Sequence, residues 1–218
     1  FRNITIKDSG DTNGGLHSAS IAVRSSYFAP SFNDLHIENS YGPGVRATSG
    51  GAIQGINWHI ENSGEQGINI DSASVVVENV TLENNSLSGA KVFDSRYVEF
   101  HNLTSLRNGQ SGVLPRDLAG LTYIESNDVE SNSGDVKCKN CIVYENLGSG
   151  IFIEDSVDIW IEDSVIMDNS PDHPEIFADS DGLGSIPGMF HLTDSQVWSN
   201  RTNGEGYAIE IVDADGEI

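Results

Sequence analysis

CIVYENLGSGIFIEDSVDIWIEDSVIMDNS, residues 141–170, holds one complete period of a pattern that recurs along almost the whole chain. An apolar alternation ends in Glu145-Asn146, a glycine-bearing corner follows at Leu147–Gly150, and a second alternation (Ile151, Ile153) ends in Asp155-Ser156. A third alternation (Ile159, Ile161) ends in Glu162-Asp163-Ser164, after which the first returns and closes on Asn169. Asn146 and Asn169 stand 23 residues apart, and three short strands in that length describe a coil. Alternation at period two means that each strand buries one face.

The period extends in both directions. First strands open with Asn or Asp and close with Asn or Ser at Asn3–Ser9, Asp34–Ser40, Asn57–Ser63, Asn79–Asn85, Asn102–Asn108, Asn140–Asn146, Asp163–Asn169 and Asp194–Asn200. The steps from Ser40 to Ser63, Asn85 and Asn108 are 23, 22 and 23 residues. Second strands follow a glycine, as in Gly67-Ile68-Asn69-Ile70, Gly89-Ala90-Lys91-Val92, Gly112-Val113-Leu114 and Gly150-Ile151-Phe152-Ile153. Third strands include Val75–Val77, Val98–Phe100, Val136–Cys138 and Ile159–Ile161. Strands so short and closely spaced leave no room for helical crossovers between parallel neighbours. Stacking each coil on the last satisfies them, at about 4.8 Å per rung. The predicted fold is all-β: a right-handed parallel β-helix of about eight coils of 22–23 residues, a solenoid forming one domain over residues 1–218. Both ends read as strand without a cap, so the chain is expected to be a segment of a longer protein. Two coils are overlong, which places insertions at Leu118–Gly134 and around Ser170–Gly188.

Composition narrows the function. Eleven Lys and Arg against 33 Asp and Glu give a formal charge of −22, which argues against nucleic acid as a partner. No apolar run reaches 18 residues, so no helical membrane insertion is expected. Acidity of this degree suits an extracellular or cell-surface protein, and calcium is the cation it would most readily hold.

The repeat, in segments such as Val77-Glu-Asn-Val-Thr-Leu-Glu-Asn-Asn85, resembles that of the pectin-lyase-like superfamily of parallel β-helices. That resemblance implies the fold and leaves the activity open, since this scaffold carries lyases, hydrolases, epimerases and non-catalytic modules.

In such a fold equivalent residues stack in columns. The closing Ser and Asn residues read as a structural ladder. Cys138 and Cys141 fall on inward positions flanking one corner, as buried thiols or a local disulfide. An acidic column, Asp71, Asp94, Asp117, Asp155 and Asp179, reads as turn residues, with calcium bridging of Asp71, Asp94 and Asp117 as the alternative. By resemblance, a polysaccharide lyase would need a Lys or Arg base near acidic ligands, and Lys91, Arg116, Asp94 and Asp117 are the catalytic candidates. His36 and His59 read as stacked surface neighbours, not metal ligands. Outward first-strand positions turn from polar to apolar at Ile142, Tyr144, Val165, Met167 and Trp198, where one of the insertions is expected to fold over them. Alternatively Tyr144, Met167 and Trp198, with Trp160, bind a partner. Five Asn-x-Ser/Thr sequons occur, at Asn3, Asn79, Asn84, Asn102 and Asn200. The leading expectation is a non-catalytic extracellular scaffold or adhesion module recognising a polysaccharide or protein along its side. The alternative is a polysaccharide lyase or glycoside hydrolase working in a groove on one parallel sheet.

Overall fold

The computed structural model describes residues 1–10, 18–24, 28–95, 97–111, 114–124, 136–154, 158–180, 190–199 and 207–213. Every pairing between its strands is parallel. The second strands stack into an 8-stranded sheet running from Ile21–Arg24 through Val45–Thr48, Ile68–Asp71, Ala90–Phe93, Leu121–Ile124, Ile151–Glu154 and Ile176–Ser180 to Ile209–Asp213. Third and first strands share an 11-stranded sheet that bends into two faces. In the early coils one long strand runs through both faces, as in Ala52–Glu61, Ser74–Glu83 and Tyr97–Leu106. Later it splits at the bend, into Val136–Lys139 and Ile142–Tyr144, then Ile159–Glu162 and Val165–Met167. The expected coil of three faces is therefore present.

The bend is written in the residues that open each first strand. Asn3, Asp34, Asn57, Asn79, Asn102, Asn140, Asp163 and Asp194 all have φ between 49° and 61°. Asn and Asp tolerate this left-handed conformation better than other side-chain-bearing residues. Four of them also form an exposed hydrogen-bonded chain, Asn102 Nδ2 to Asn79 Oδ1 (2.9 Å), Asn79 Nδ2 to Asn57 Oδ1 (3.1 Å) and Asn57 Nδ2 to Asp34 Oδ1 (2.8 Å). Three of the sequons, Asn3, Asn79 and Asn102, thus sit in a structural corner.

The closing residues form a second, buried ladder. The Oδ1 of Asn108 accepts from the backbone N–H and the Nδ2 of Asn85, that of Asn146 does the same for Asn108, and that of Asn169 does it for Asn146. All four amides are at most 3% exposed. Asn200 lies outside the described residues. At Asn169 the acceptor is instead the carboxylate of the fully buried Glu175, 2.6 Å from Asn169 Nδ2. Glu175 occupies the position held by Gly120 and Gly150 in the preceding coils, since Ile151 N–H donates to its carbonyl just as Leu121 N–H donates to that of Gly150. At Gly120 a Cβ would stand 2.6 Å from Asn146 Nδ2 and 2.8 Å from the Gly150 carbonyl, so glycine there lets the ladder close. Inside, columns such as Ile37, Ile60, Leu82, Val143 and Ile166 are fully buried. Each such side chain contributes about 1.5–3 kcal/mol through removal from water.

Three expectations need correction. The second strand of the fifth coil is Leu121–Ile124, not Gly112–Leu114. Pro115 follows Leu114 immediately and cannot donate to a ladder, so a short helix, Pro115–Leu118, forms instead. Gly112 and Val113 lie outside the described residues. The excursion therefore starts before Leu118, and its described part crosses the second-strand sheet, where Thr122 Oγ1 donates to the Arg116 carbonyl and Thr122 is fully buried. That described part lies on the second-strand sheet and not on the apolar first-strand stripe; residues 125–135 lie outside the described residues. The other excursion contains the regular strand Ile176–Ser180; residues 181–189 lie outside the described residues. Cys138 and Cys141 form a disulfide across the corner at Asn140.

Asn146→Ala leaves the N–H and amide of Asn108 without their buried acceptor. It is expected to lower unfolding free energy by about 2–4 kcal/mol, and Asn84→Ala, on the half-buried corner next to the ladder, by about 1 kcal/mol or less. Chemical denaturation of the two variants beside the parent checks this, and equal losses would show that the ladder is not what holds the coils in register.

Candidate functional site

Pairing on the third face lines up outward side chains along the rod. One column runs Ser31, Gln54, Val76, Glu99, Lys137, Trp160 and His191. Beside it run Asn33, Ile56, Glu78, His101, Lys139, Glu162 and Thr193. Toward the N-terminal end these columns border a shallow groove of about 320 Å³, lined by Asn33, Gln54, Gly55, Ile56, Glu78 and His101 among others. Gly55 matters to its floor. A Cβ there would meet the Trp58 indole at 2.3 Å, and Trp58 Nε1 donates to the Phe32 carbonyl at 2.7 Å directly beneath.

Next along the face stands a cluster centred on Glu99. Tyr97 Oη donates to Glu99 Oε1 at 2.8 Å, His101 Nε2 is 3.2 Å from Oε2, and Lys137 Nζ is 4.0 Å from Oε1. Burial of the carboxyl pushes its pKa up, but the hydrogen bonds from Tyr97 and His101 and the charges of His101 and Lys137 outweigh that and hold it below the usual carboxylate value. Tyr97 is 44% exposed, so its hydroxyl stands at the surface, and His101 belongs to both cluster and groove. Beyond the cluster Trp160 and His191 stack, ring centroids 3.7 Å apart and 6° from parallel. Trp160 Nε1 and His191 Nε2 have no hydrogen-bond partner among the described residues. Lys139 reaches Glu162 at 3.3 Å and Asp163 at 3.8 Å. The face thus presents, in order, a groove, a hydrogen-bonding carboxylate with a phenol and an imidazole attached, and an aromatic platform.

Of the residues singled out from the sequence, Tyr144, Met167 and Trp198 do share one column, on the first face. Trp198 is 55% exposed there and Ile142, in the adjoining column, 42%. Trp160 lies round the Asp163 corner on the third face, apart from them. The acidic column is not continuous. Ile68 pairs with Ala90, 22 residues on, so Asp71 pairs with Phe93, and Asp94 falls one position later, at a left-handed corner. Asp117 belongs to the short helix, and Asp155 lies outside the described residues. Register therefore does not stack Asp71, Asp94 and Asp117 as a calcium-bridging column. Of the catalytic candidates Lys91, Arg116, Asp94 and Asp117, Lys91 pairs with Asn69 and Thr122, while Arg116 binds the Glu154 carboxylate at 3.0 and 3.2 Å. The Glu99 cluster stands on third strands, whereas the columns predicted from the sequence run along first strands and corners. Glu99, Lys137 and Trp160 are each the outward residue between two inward apolar ones, and that alternation was the available signal.

The family model described as a right handed beta helix region matches residues 19–218, and the chain belongs to that family. Its hand is thereby the expected one. No curated protein matches the chain. Among solved structures, the chain is similar to the A-module of the mannuronan C-5 epimerase AlgE4 of Azotobacter vinelandii, at 14% identity and a TM-score of 0.43. The match covers 95% of this chain and 58% of that one, so this chain spans little more than half of the other's length.

Because its folded pKa is depressed, Glu99 contributes stability that is complete above the unfolded value of 4.5 and is lost as pH falls through the folded value. Glu99→Gln is expected to lower stability in the neutral region and to flatten the acid limb of the pH–stability profile, so that variant and parent converge at low pH. An acid limb identical to the parent's would show that Tyr97, His101 and Lys137 do not engage the carboxylate.

Proposed function

We propose that this chain is an extracellular or cell-surface carbohydrate-recognition module, whose third face binds a polysaccharide laid along the rod. The observation that carries the reading is the in-register line from Gln54 and the groove, past Tyr97, Glu99 and His101, to the Trp160–His191 stack. From Gln54 to Trp160 is four rungs, roughly 19 Å of strand spacing, a length suited to an oligosaccharide. Sugar rings combine hydroxyl edges with apolar faces. Amide, carboxylate, phenol and imidazole groups match the former and an aromatic platform the latter. The cations here are matched by acids, Lys137 near Glu99 and Lys139 near Glu162, and the chain as a whole carries −22. A neutral polysaccharide fits better than a polyanion. The Cys138–Cys141 disulfide supports an oxidising setting outside the cytosol.

One observation favours a second reading, turnover of the bound chain. Tyr97 and His101 are both hydrogen-bonded to one carboxylate at the edge of the groove, and such groups serve as general acid and base. In the binding reading the same bonds only orient recognition groups.

The test is a panel of neutral and uronate polysaccharides, assayed for binding and for product release with and without calcium. Retention of a neutral polysaccharide without product release is expected, with Trp160→Ala weakening it at least tenfold and Trp198→Ala leaving it within twofold. Product release abolished by His101→Gln would replace the binding reading with the enzymatic one. Loss of binding in Trp198→Ala but not Trp160→Ala would move the site to the Tyr144–Met167–Trp198 column.

A further inference from the structure

On the first face, away from the carbohydrate surface proposed above, the outward columns of the early coils carry histidine and glutamate. His36 pairs in register with His59, and Glu38 with Glu61, on the adjacent strands Ser31–Glu38 and Ala52–Glu61. The next strand contributes Thr81 and Glu83 to the same two columns. In-register stacking holds the two imidazoles parallel, centroids 5.0 Å apart and planes 7° from parallel. Glu61, two residues after His59 on the same side of the strand, brings Oε1 to 3.0 Å from His36 Nε2. One donor atom from each of His36, His59 and Glu61 lies within 4.8 Å of both others, the only such trio of possible metal ligands among the described residues.

An ion-paired surface accounts for part of this arrangement and not for the rest. His36 has its carboxylate. His59 Nε2 has one only at the longer distance of 3.8 Å, Glu83 Oε2, and it is shielded from solvent and makes no hydrogen bond among the described residues. A shielded nitrogen without a hydrogen-bond partner, beside a second imidazole and near two carboxylates, has the surroundings of a ligand atom. Lys7 pairs with Glu38 and Arg107 with Glu83, so two of the three glutamates in the neighbouring column meet a cation, while Glu61 faces imidazole.

We propose that His36, His59 and Glu61 bind a divalent transition-metal ion of the zinc class, with Glu83 positioned to supply a fourth ligand. Two imidazole nitrogens and carboxylate oxygens are the donor set of Zn²⁺ and its neighbours, whereas Ca²⁺ and Mg²⁺ call for oxygen throughout. Zinc bonds of about 2.0–2.2 Å require donors roughly 3.4 Å apart. The present spacing, within 4.8 Å, must contract, and side chains 36% and 42% exposed leave both rings room to turn. With ligands drawn from three successive rungs, the ion would clamp neighbouring coils together and offset the repulsion between stacked acids. It would act as a structural rivet outside the core, built on the register that sets the rings one above the other.

Isothermal titration of chelator-treated protein with ZnCl₂ tests the site, supported by Co²⁺ absorption spectra and by thermal melts with ZnCl₂ or CaCl₂. The expected result is one site per chain, a Co²⁺ spectrum with imidazole ligation, and a rise in melting temperature with zinc and not calcium. His59→Gln and Glu61→Gln should each weaken zinc at least tenfold, and the His36→Gln/His59→Gln pair should remove the Co²⁺ signature, with circular dichroism confirming that each variant is folded. Zinc affinity unchanged in the double variant, no saturable zinc binding in the parent, or a loss produced instead by His101→Gln would each overturn the proposal.

Discussion

The buried asparagine ladder is the constraint on which the rest of this molecule depends. A primary amide in an apolar interior is costly unless both its N–H groups and its oxygen find partners, and here each oxygen serves the backbone and side chain of the preceding rung at once. Apolar columns resist displacement only through shape, whereas an amide one residue out of step would face the wrong side of the sheet altogether. The ladder therefore fixes register rung by rung. It also dictates its neighbours, because the glycine at Gly120 exists to leave room for the amide of Asn146. Where that glycine gives way to Glu175, the glutamate carboxylate takes over as acceptor for Asn169.

Fixed register inside makes ordered columns outside. Side chains on the outer faces repeat at strand spacing whether or not they attract, so function on this scaffold is a matter of which residues fall in line. On the third face the line is Glu99, Lys137, Trp160 and His191; on the first it is His36 over His59 early in the rod and Tyr144, Met167 and Trp198 later. The same rule separates groups that the sequence seems to bring together. Asp71 and Asp94 are 23 residues apart in a coil of 22, and that single residue puts one on a strand and the other on a corner.

The two surfaces differ in what they offer. The third face combines a groove, hydrogen-bonding groups and a stacked aromatic pair, which are the elements of sugar recognition. The early first face offers concentrated charge and imidazole, which are the elements of ion binding. Both rest on in-register parallel strands, and neither needs a loop to assemble it.

The sequence by itself determined the coil. Alternation, the Asn or Asp that opens each first strand and the Asn or Ser that closes it are local demands of strand, left-handed corner and ladder, and they are met by the residues where they stand. It also located the outward apolar column of Tyr144, Met167 and Trp198. What it left open was the choice between two glycine-led segments in the fifth coil, Gly112–Leu114 and Gly120–Ile124: Pro115 disfavours the former, and pairing with Ala90–Phe93 selects the latter. The tertiary structure alone decided which outward residues meet. Glu99 and Lys137 are 38 positions apart, and His36 and Glu61 25, distances over which the length of every intervening turn must be summed before a contact exists. Local chemistry writes the rung, and only the stacking of rungs decides who stands beside whom.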